Sequence, residues 1–187
     1  MRHAFVGFFA IFWILSLFSC KRGVETERVL LSDEELAFVP YEAGDTIPFM
    51  HSNGYPFDFK VVTKERYLSP MMVYDSGKDF ITFETLSFAM KSVEPDLNFS
   101  IMVIPMQIYQ GLNVQITLNG NSFQPMTIDQ VDFDSILINN KMYYQVMGLR
   151  NSWYDSTLIS IDSIYYNRTQ GLIKIGMTND EAFYLNR

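Results

Sequence analysis

The chain has 187 residues, 48% of them hydrophobic and 16% aromatic, a length that can bury the core of a single domain. Its 14 Lys and Arg residues against 21 Asp and Glu give a formal net charge of -7, so nucleic acid is a poor partner, because an acidic surface repels a polyanion. The single cysteine excludes an internal disulfide bond.

The first residues have the composition of an export signal. Arg2 and His3 form a short basic start, and residues 4–18 are almost wholly apolar. A stable membrane span needs about 20 apolar residues. This run is shorter and stops at polar residues, so it predicts a signal peptide that is removed rather than a permanent transmembrane helix.

The four residues Leu17-Phe18-Ser19-Cys20 resemble the lipobox of bacterial lipoprotein signals, with an aliphatic residue three positions before the cysteine and a small residue directly before it. This resemblance implies cleavage between Ser19 and Cys20 and lipid attachment to the Cys20 thiol, which would anchor the protein to a membrane. An ordinary signal peptide followed by a chance cysteine is the alternative. The predicted organisation is a signal peptide over 1–19, a lipidated cysteine and tether over 20–31, and a single β-rich domain over 32–187.

A short helix is predicted at the start of that domain. Ser32 occupies an N-cap position, and Glu35 stands where a capping box places its acidic residue. Asp33 and Glu34 fall in the first turn, where the helix dipole favours negative charge. The spacing predicts a helix over 33–38 that ends before Pro40.

The remainder of the chain has the patterns of β-strands. The clearest run, 112–118, alternates apolar and polar residues up to Asn119-Gly120, a strong hairpin-turn pair. No strong amphipathic helix separates the strand-like runs, which favours antiparallel neighbours. The predicted fold is mainly β, an antiparallel meander that forms a curved sheet, half-barrel or sandwich, with one short N-terminal helix. Further strand-like runs are 57–62, 80–90, 97–109, 142–147, 161–166, 172–175 and 182–185.

One strand departs from simple alternation. Residues 101–106 are apolar at consecutive positions, which predicts that both faces are covered. The cover could be a second sheet, the short helix, or a hydrophobic cavity inside a curved half-barrel. Eleven Met residues would suit a deformable apolar pocket, although core filling needs the same side chains.

The search for catalytic residues finds no strong motif. His51 is the only histidine after the signal, and its neighbours have turn composition, which predicts a loop residue. No nucleophile elbow, phosphate-binding loop or dinucleotide fingerprint is present, so no catalytic residue and no cofactor is predicted. Asp129, Asp132 and Asp134 form the best acidic cluster, which is either a weak calcium site or a solvated turn.

Several further stretches resemble the uncharacterised outer-membrane lipoproteins of Bacteroidota. The resemblance rests on the lipobox, on residues 31–35 with Pro40-Tyr41 and Gly44-Asp45-Thr46-Ile47, and on Tyr165-Tyr166 with Gly171-Leu172-Ile173. It implies a lipid-anchored position at the outer membrane. Surface-exported members of that family tend to carry acidic residues directly after the cysteine, so Lys21 and Arg22 at these positions imply, through the resemblance, the periplasm-facing side. The family has no assigned activity to carry over.

The same resemblance implies possible O-glycosylation at Asp-Ser or Asp-Thr followed by an aliphatic, Met, Thr or Ala residue. Glycans need exposed positions, usually loops. Ser135 and Ser156 are the favoured positions among those that fit, which are Thr46, Ser135, Ser156 and Ser163.

Three functions remain compatible with the sequence. The first is a tethered, non-catalytic binding or assembly module whose β surface docks onto an envelope protein or a glycan, which needs no catalytic cluster. The second is a carrier that shields an acyl chain or another apolar ligand inside a curved sheet. The third is a hydrolase that uses two carboxylates facing one cleft.

Overall fold

The computed structural model describes residues 23–73, 79–108, 113–123, 125, 127–151 and 159–187. The chain divides into two compact units. The smaller unit combines Met1–Arg28 with Pro70–Thr82, and the larger combines Val29–Ser69 with Phe83–Arg187. Within the described residues the fold is mainly β, with one antiparallel sheet that is not closed and one short helix, as the sequence predicts.

The described strands and the helix follow one another in a simple chain order. Their bounds are β1 Glu25–Val29, helix α1 Asp33–Leu36, β2 Thr46–His51, β3 Pro56–Met72, β4 Phe80–Ser92, β5 Leu97–Val103, β6 Val114–Leu118, β7 Asn121–Phe123, β8 Phe133–Ile138, β9 Lys141–Arg150, β10 Ile161–Asn167, β11 Gly171–Met177 and β12 Ala182–Leu185.

Two meanders make up the sheet. Strands β2 to β7 neighbour one another in sequence order, as do β8 to β12, and the two sets are joined where β2 pairs with β12. That junction is antiparallel, with Phe49 opposite Leu185 and His51 opposite Phe183. Phe57 and Phe59 add edge-on ring contacts at the same place. Aromatic packing therefore stabilises the contact between the two meanders.

The larger unit is strongly curved. Strands β7 and β8 stand at opposite ends of the strand order. Nevertheless, the side chain of Asn151, which follows β9, donates to the Asn121 side chain on β7 at 3.0 Å. The two ends of the larger unit's sheet therefore approach each other through side chains, without a backbone ladder between them in the described part.

The segment that contains α1 fills the concave side of this curved sheet. Ser32 and Glu35 form the predicted capping box. Beyond the helix, Phe38, Val39 and Tyr41 are almost completely buried. The ring of Phe38 stacks on Tyr166 of β10, and that of Tyr41 stacks on Phe88 of β4. Side chains of the chain itself therefore occupy the interior, where a carrier would need a cavity.

Several predicted elements are confirmed with small shifts in their bounds. The helix over 33–38 is shorter, Asp33–Leu36, and the alternating run before Asn119-Gly120 is β6. Both turn residues have positive φ, 48° and 80°, and β6 continues into β7 through this two-residue turn. Residues 109–112 lie outside the described part, so the start of the predicted 112–118 strand is not covered.

Four expectations differ from the structure. Glu25–Val29, inside the predicted tether, is strand β1 and pairs with β4. His51 is the last residue of β2 rather than a loop residue, and its ring packs against Phe183. Residues 101–106 are not covered on both faces, because Met102 is exposed and the strand ends at Val103 before Pro105. Part of the predicted acidic turn is strand β8.

In the smaller unit, β1 lies beside the start of β4. The Phe80 N–H donates to the Val24 carbonyl at 3.1 Å, and the Thr26 hydroxyl donates to the Phe80 carbonyl at 3.3 Å. The Val73 N–H donates to the Asp79 carbonyl at 2.9 Å, which joins the end of β3 to the residue before β4. The polar sequence of β1 explains why alternation did not reveal it.

Candidate functional site

Arg168 lies at the centre of the most concentrated polar network in the described residues. It follows β10 in the turn before β11, where the Asn167 side chain accepts from the Gln170 N–H and shapes the turn. Its guanidinium donates to the Ile128 carbonyl at 2.7 and 3.1 Å and pairs with Asp129. It also reaches Glu34 of α1 at 3.0 Å. One side chain therefore joins three separate parts of the larger unit.

Glu35, the neighbour of Glu34, holds the next part of the chain. Its buried carboxylate accepts from the Ser32 N–H and hydroxyl at 2.8 and 2.9 Å. Its other oxygen accepts from the Met106 N–H at 2.7 Å, beyond the end of β5. These donors compensate the burial of the charge, and they fix α1 against the segment after β5.

Two adjoining cavities open beside this network and share Ile128 and Asp129. One has a volume of about 200 Å³ and is lined on its far side by Tyr144, Gln145 and Arg168. The other, of about 320 Å³, is lined by the first residues of α1 and by residues 105–107. Polar groups predominate around the first cavity, so its chemistry suits a polar ligand rather than an acyl chain, whereas apolar groups predominate around the second.

Gln145 marks the mouth of the first cavity with an unusual backbone. Its φ is +50° although it lies within β9, a conformation that non-glycine residues rarely adopt. Tyr144 and Gln145 are consequently both exposed, which interrupts the alternation of the strand. Strained backbone of this kind is enriched at binding sites, where it aims side chains away from the regular pleat.

Two carboxylates do face one cleft, as the hydrolase hypothesis requires. Glu34 and Asp129 both line the second cavity. Each is paired with the same Arg168 guanidinium, so their charges are compensated by a fixed cation between them. A general acid needs a neutral carboxyl and a nucleophile needs an open lone pair. In this structure the pair acts as a clamp.

A second candidate surface is the outer face of the β8–β9 hairpin. Strand β8 is an edge strand that pairs only with β9 in the described sheet, with Leu137 opposite Met142 and Ser135 opposite Tyr144. Directly opposed residues lie on the same face. Leu137 is 61% exposed, Met142 47% and Tyr144 65%. The inner face, with Ile138 and Tyr143, is buried.

The three aspartates of the calcium hypothesis are not assembled into a metal site. Asp129 pairs with Arg168, and Asp132 accepts from the Gly148 N–H and the Gln130 side chain. Asp134 is exposed on β8. No group of three or more His, Cys, Asp or Glu that could hold a metal ion occurs within the described ranges.

The positions predicted for modification are placed differently. Thr46 begins β2 and is exposed, and Ser135 is exposed on β8. Ser163 on β10 is half-buried, and its hydroxyl donates to Asp162 at 2.8 Å. Ser19, Cys20 and Ser156 lie outside the described residues.

Burial and hydrogen bonds shift the pKa of several groups in the larger unit. The Arg66 guanidinium at 2.7 Å holds the pKa of the Glu84 carboxyl below its usual range, and the Leu31 N–H acts in the same direction against burial. Burial raises the pKa of the Tyr41 and Tyr166 phenols. None of these groups lines the two cavities.

Comparison with known proteins finds no matching family model, no matching curated protein and no matching solved structure. Within the described part of the chain, no helix has the length and apolar character that a membrane crossing requires.

Sequence reasoning missed the residues that define both candidate surfaces. Arg168 carried no motif, because its partners are far away in the chain. Strand β8 had a usable signal: the run Ser135 to Ile138 precedes Asn139-Asn140, whose φ values of 46° and 61° form a two-residue hairpin turn. The cluster of Asp129, Asp132 and Asp134 predicts a turn instead, which hides the start of the strand.

Proposed function

We propose that the chain is a membrane-anchored, non-catalytic binding module of the bacterial cell envelope. In this proposal the lipid on Cys20 holds it at the outer membrane, facing the periplasm, and a partner protein docks on the outer face of the β8–β9 hairpin. The observation that carries the proposal is the exposed apolar face of the β8–β9 hairpin at the edge of the described sheet, formed by Leu137, Met142 and Tyr144.

An edge strand with apolar side chains favours a protein partner for two reasons. In the described sheet the outer edge of β8 pairs with no further strand, so an added strand can pair there, and its side chains provide apolar area to bury. Folded proteins commonly protect such edges with charges or Pro. Strand β8 contributes Asp134 as its only charged residue, and Leu137 stands at its far end unshielded.

The filled interior of the fold favours a docking module over a carrier of an apolar ligand. Phe38, Val39 and Tyr41 fill the concave side of the larger unit. The cavity of about 200 Å³ is lined mainly by polar groups, which suits neither an acyl chain nor another apolar ligand. A glycan partner is the second candidate, favoured by the amide and tyrosine side chains around the cavity of about 200 Å³.

The docking face is tested by site-specific photocrosslinking in cells. A photoreactive amino acid at Tyr144 is expected to capture one discrete partner, and Leu137→Lys is expected to weaken that capture about tenfold or more, because a buried anchor becomes charged. The matched control places the crosslinker, and separately a lysine, at Val62, which is exposed on β3. Equal capture from Val62, or unchanged capture after Leu137→Lys, would contradict docking.

The glycan candidate is separated by a second variant. Gln145→Ala alters the cavity mouth but leaves Leu137 and Met142 in place, so protein docking is expected to survive it. If Gln145→Ala loses partner capture while Leu137→Lys captures the partner as well as the wild type does, the glycan is favoured. A glycan on Ser135 would stand beside Tyr144, so modification of that serine and docking on this face exclude each other.

A further inference from the structure

In the smaller unit, Val24 lies beside the place where β3 ends and β4 begins. The Val24 carbonyl accepts from the Phe80 N–H, the first residue of β4, and the Thr26 hydroxyl donates to the Phe80 carbonyl. The Val73 N–H donates to the Asp79 carbonyl, so β3 ends at the same place. The start of β1, the end of β3 and the start of β4 therefore lie together.

Very little chain separates this place from Cys20. Only residues 21–23 stand between Cys20 and Val24. A fully extended chain spans at most about 3.6 Å per residue, so the two Cα atoms are at most about 14 Å apart. A lipid-bearing Cys20 sits at the edge of the hydrocarbon layer, and the headgroup region beyond it is several ångströms thick. Such a short connection leaves Val24 at or near the headgroups.

The side chains at this end suit that position. Val24 is 63% exposed and Met72, the last residue of β3, is 67% exposed. Methionine is flexible and apolar, so it can adapt to an irregular headgroup boundary. Lys21 and Arg22 add two positive charges between the cysteine and this end, and anionic lipid attracts such charges.

We propose that the hairpin end formed by Val24, Met72 and Phe80 lies against the surface of the membrane that holds Cys20. This inference rests on the proposed lipid anchor and adds a second membrane contact to it. In this proposal the smaller unit contacts the lipid surface directly. The connection between Cys20 and the folded chain is then only a few residues long, not a long flexible tether.

The experiment uses the full chain, processed in a lipoprotein-exporting bacterium and extracted from membranes. Met72→Cys and Val24→Cys are each labelled with an environment-sensitive fluorophore, because an acylated Cys20 offers no free thiol. The control is Val93→Cys, exposed just beyond the other end of β4. The proteins are placed in phosphatidylethanolamine and phosphatidylglycerol vesicles that contain brominated lipid, and their intact masses are recorded.

The expected result is a blue-shifted emission and loss of most of the fluorescence at positions 72 and 24, with neither change at position 93. An acylated protein whose three labels all remain unquenched overturns the hairpin contact and leaves the anchored module standing. A chain without acyl mass overturns the anchor, and the hairpin contact falls with it.

Discussion

The phenolic oxygen of Tyr41 accepts a hydrogen bond at 2.6 Å from the backbone N–H of Leu172, at the start of β11. The preceding residue, Gly171, has φ of +78°, and a Cβ built on it would lie 2.0 Å from the same oxygen. The ring of Tyr41 also stacks on Phe88 of β4. One side chain thus connects β4 and β11, four steps apart in the strand order.

Gly171→Ala should lower the free energy of unfolding by about 1–3 kcal/mol through overpacking, in addition to the cost of its positive φ. Tyr41→Phe should lower it by about 1–3 kcal/mol, because the buried Leu172 N–H loses its acceptor. Gly44→Ala is the matched control, since Gly44 also has positive φ, +90°, but open space around a Cβ. Denaturant unfolding of the purified domain measures all three, and equal losses for Gly171→Ala and Gly44→Ala would contradict the packing account.

The buried phenols predict a loss of stability in alkali. Burial raises the pKa of Tyr41 and Tyr166 above their unfolded value, near 10. The folded state therefore binds protons more tightly than the unfolded state does. The contribution of the two phenols to the free energy of unfolding is therefore complete below a pH of about 10 and falls as the pH rises beyond that value.

Urea unfolding measured between pH 8 and 11 checks this prediction. The Tyr166→Phe variant is expected to show a shallower alkaline loss than the wild type, because it has one buried phenol fewer to ionise. Tyr144→Phe, at an exposed position, is the control and should follow the wild type. If all three proteins lost the same unfolding free energy as the pH rises, the explanation by buried phenols would be contradicted.

Glu84 predicts a loss of stability in acid. Its pKa is held low chiefly by the Arg66 side chain, so the folded state favours the ionised form. The contribution is complete above the unfolded pKa, about 4.3, and disappears as the pH falls through the lower folded value. Glu84→Gln should remove the part of the acid-induced loss of stability that comes from protonation of Glu84. It should also lower the free energy of unfolding at neutral pH by about 1–3 kcal/mol.

The control for that measurement is Glu65→Gln, at an exposed position of β3. In the acid range, its stability should change with pH as that of the wild type does. If Glu84→Gln showed the same acid dependence as the wild type, the Arg66–Glu84 pair would not be the source of the effect.

The strands were predictable from the sequence where one face of a strand is buried and the other is exposed to solvent. Strand β6 and the Asn119-Gly120 turn followed from alternation and turn chemistry, and the capping box placed α1. Strand β1 did not, because its residues are largely polar and its pairing with β4 depends on the tertiary fold. The Arg168 network could not be predicted for the same reason: its contacts join residues up to 134 positions apart.

Arg168→Lys should loosen the segment around Ile128 and Asp129. Lysine carries a point charge and cannot reproduce the several directed N–H bonds of a guanidinium. The Asp132 backbone amide, which donates to the Val146 carbonyl, is expected to exchange with solvent about tenfold faster, a change of about 1.4 kcal/mol. Hydrogen exchange measures this, with Arg150→Lys on β9 as the control at an exposed arginine. Unchanged exchange in Arg168→Lys would show that the segment is held by other contacts.

The intact mass of the native protein, extracted from membranes and compared with a Cys20→Ala variant, tests the anchor most directly. The account predicts a chain that starts at Cys20 and carries acyl mass, and a Cys20→Ala variant that lacks this mass and leaves the membrane fraction. An unmodified chain cut at another residue would contradict the account, because both the envelope module and the membrane contact of the hairpin depend on a lipid at Cys20.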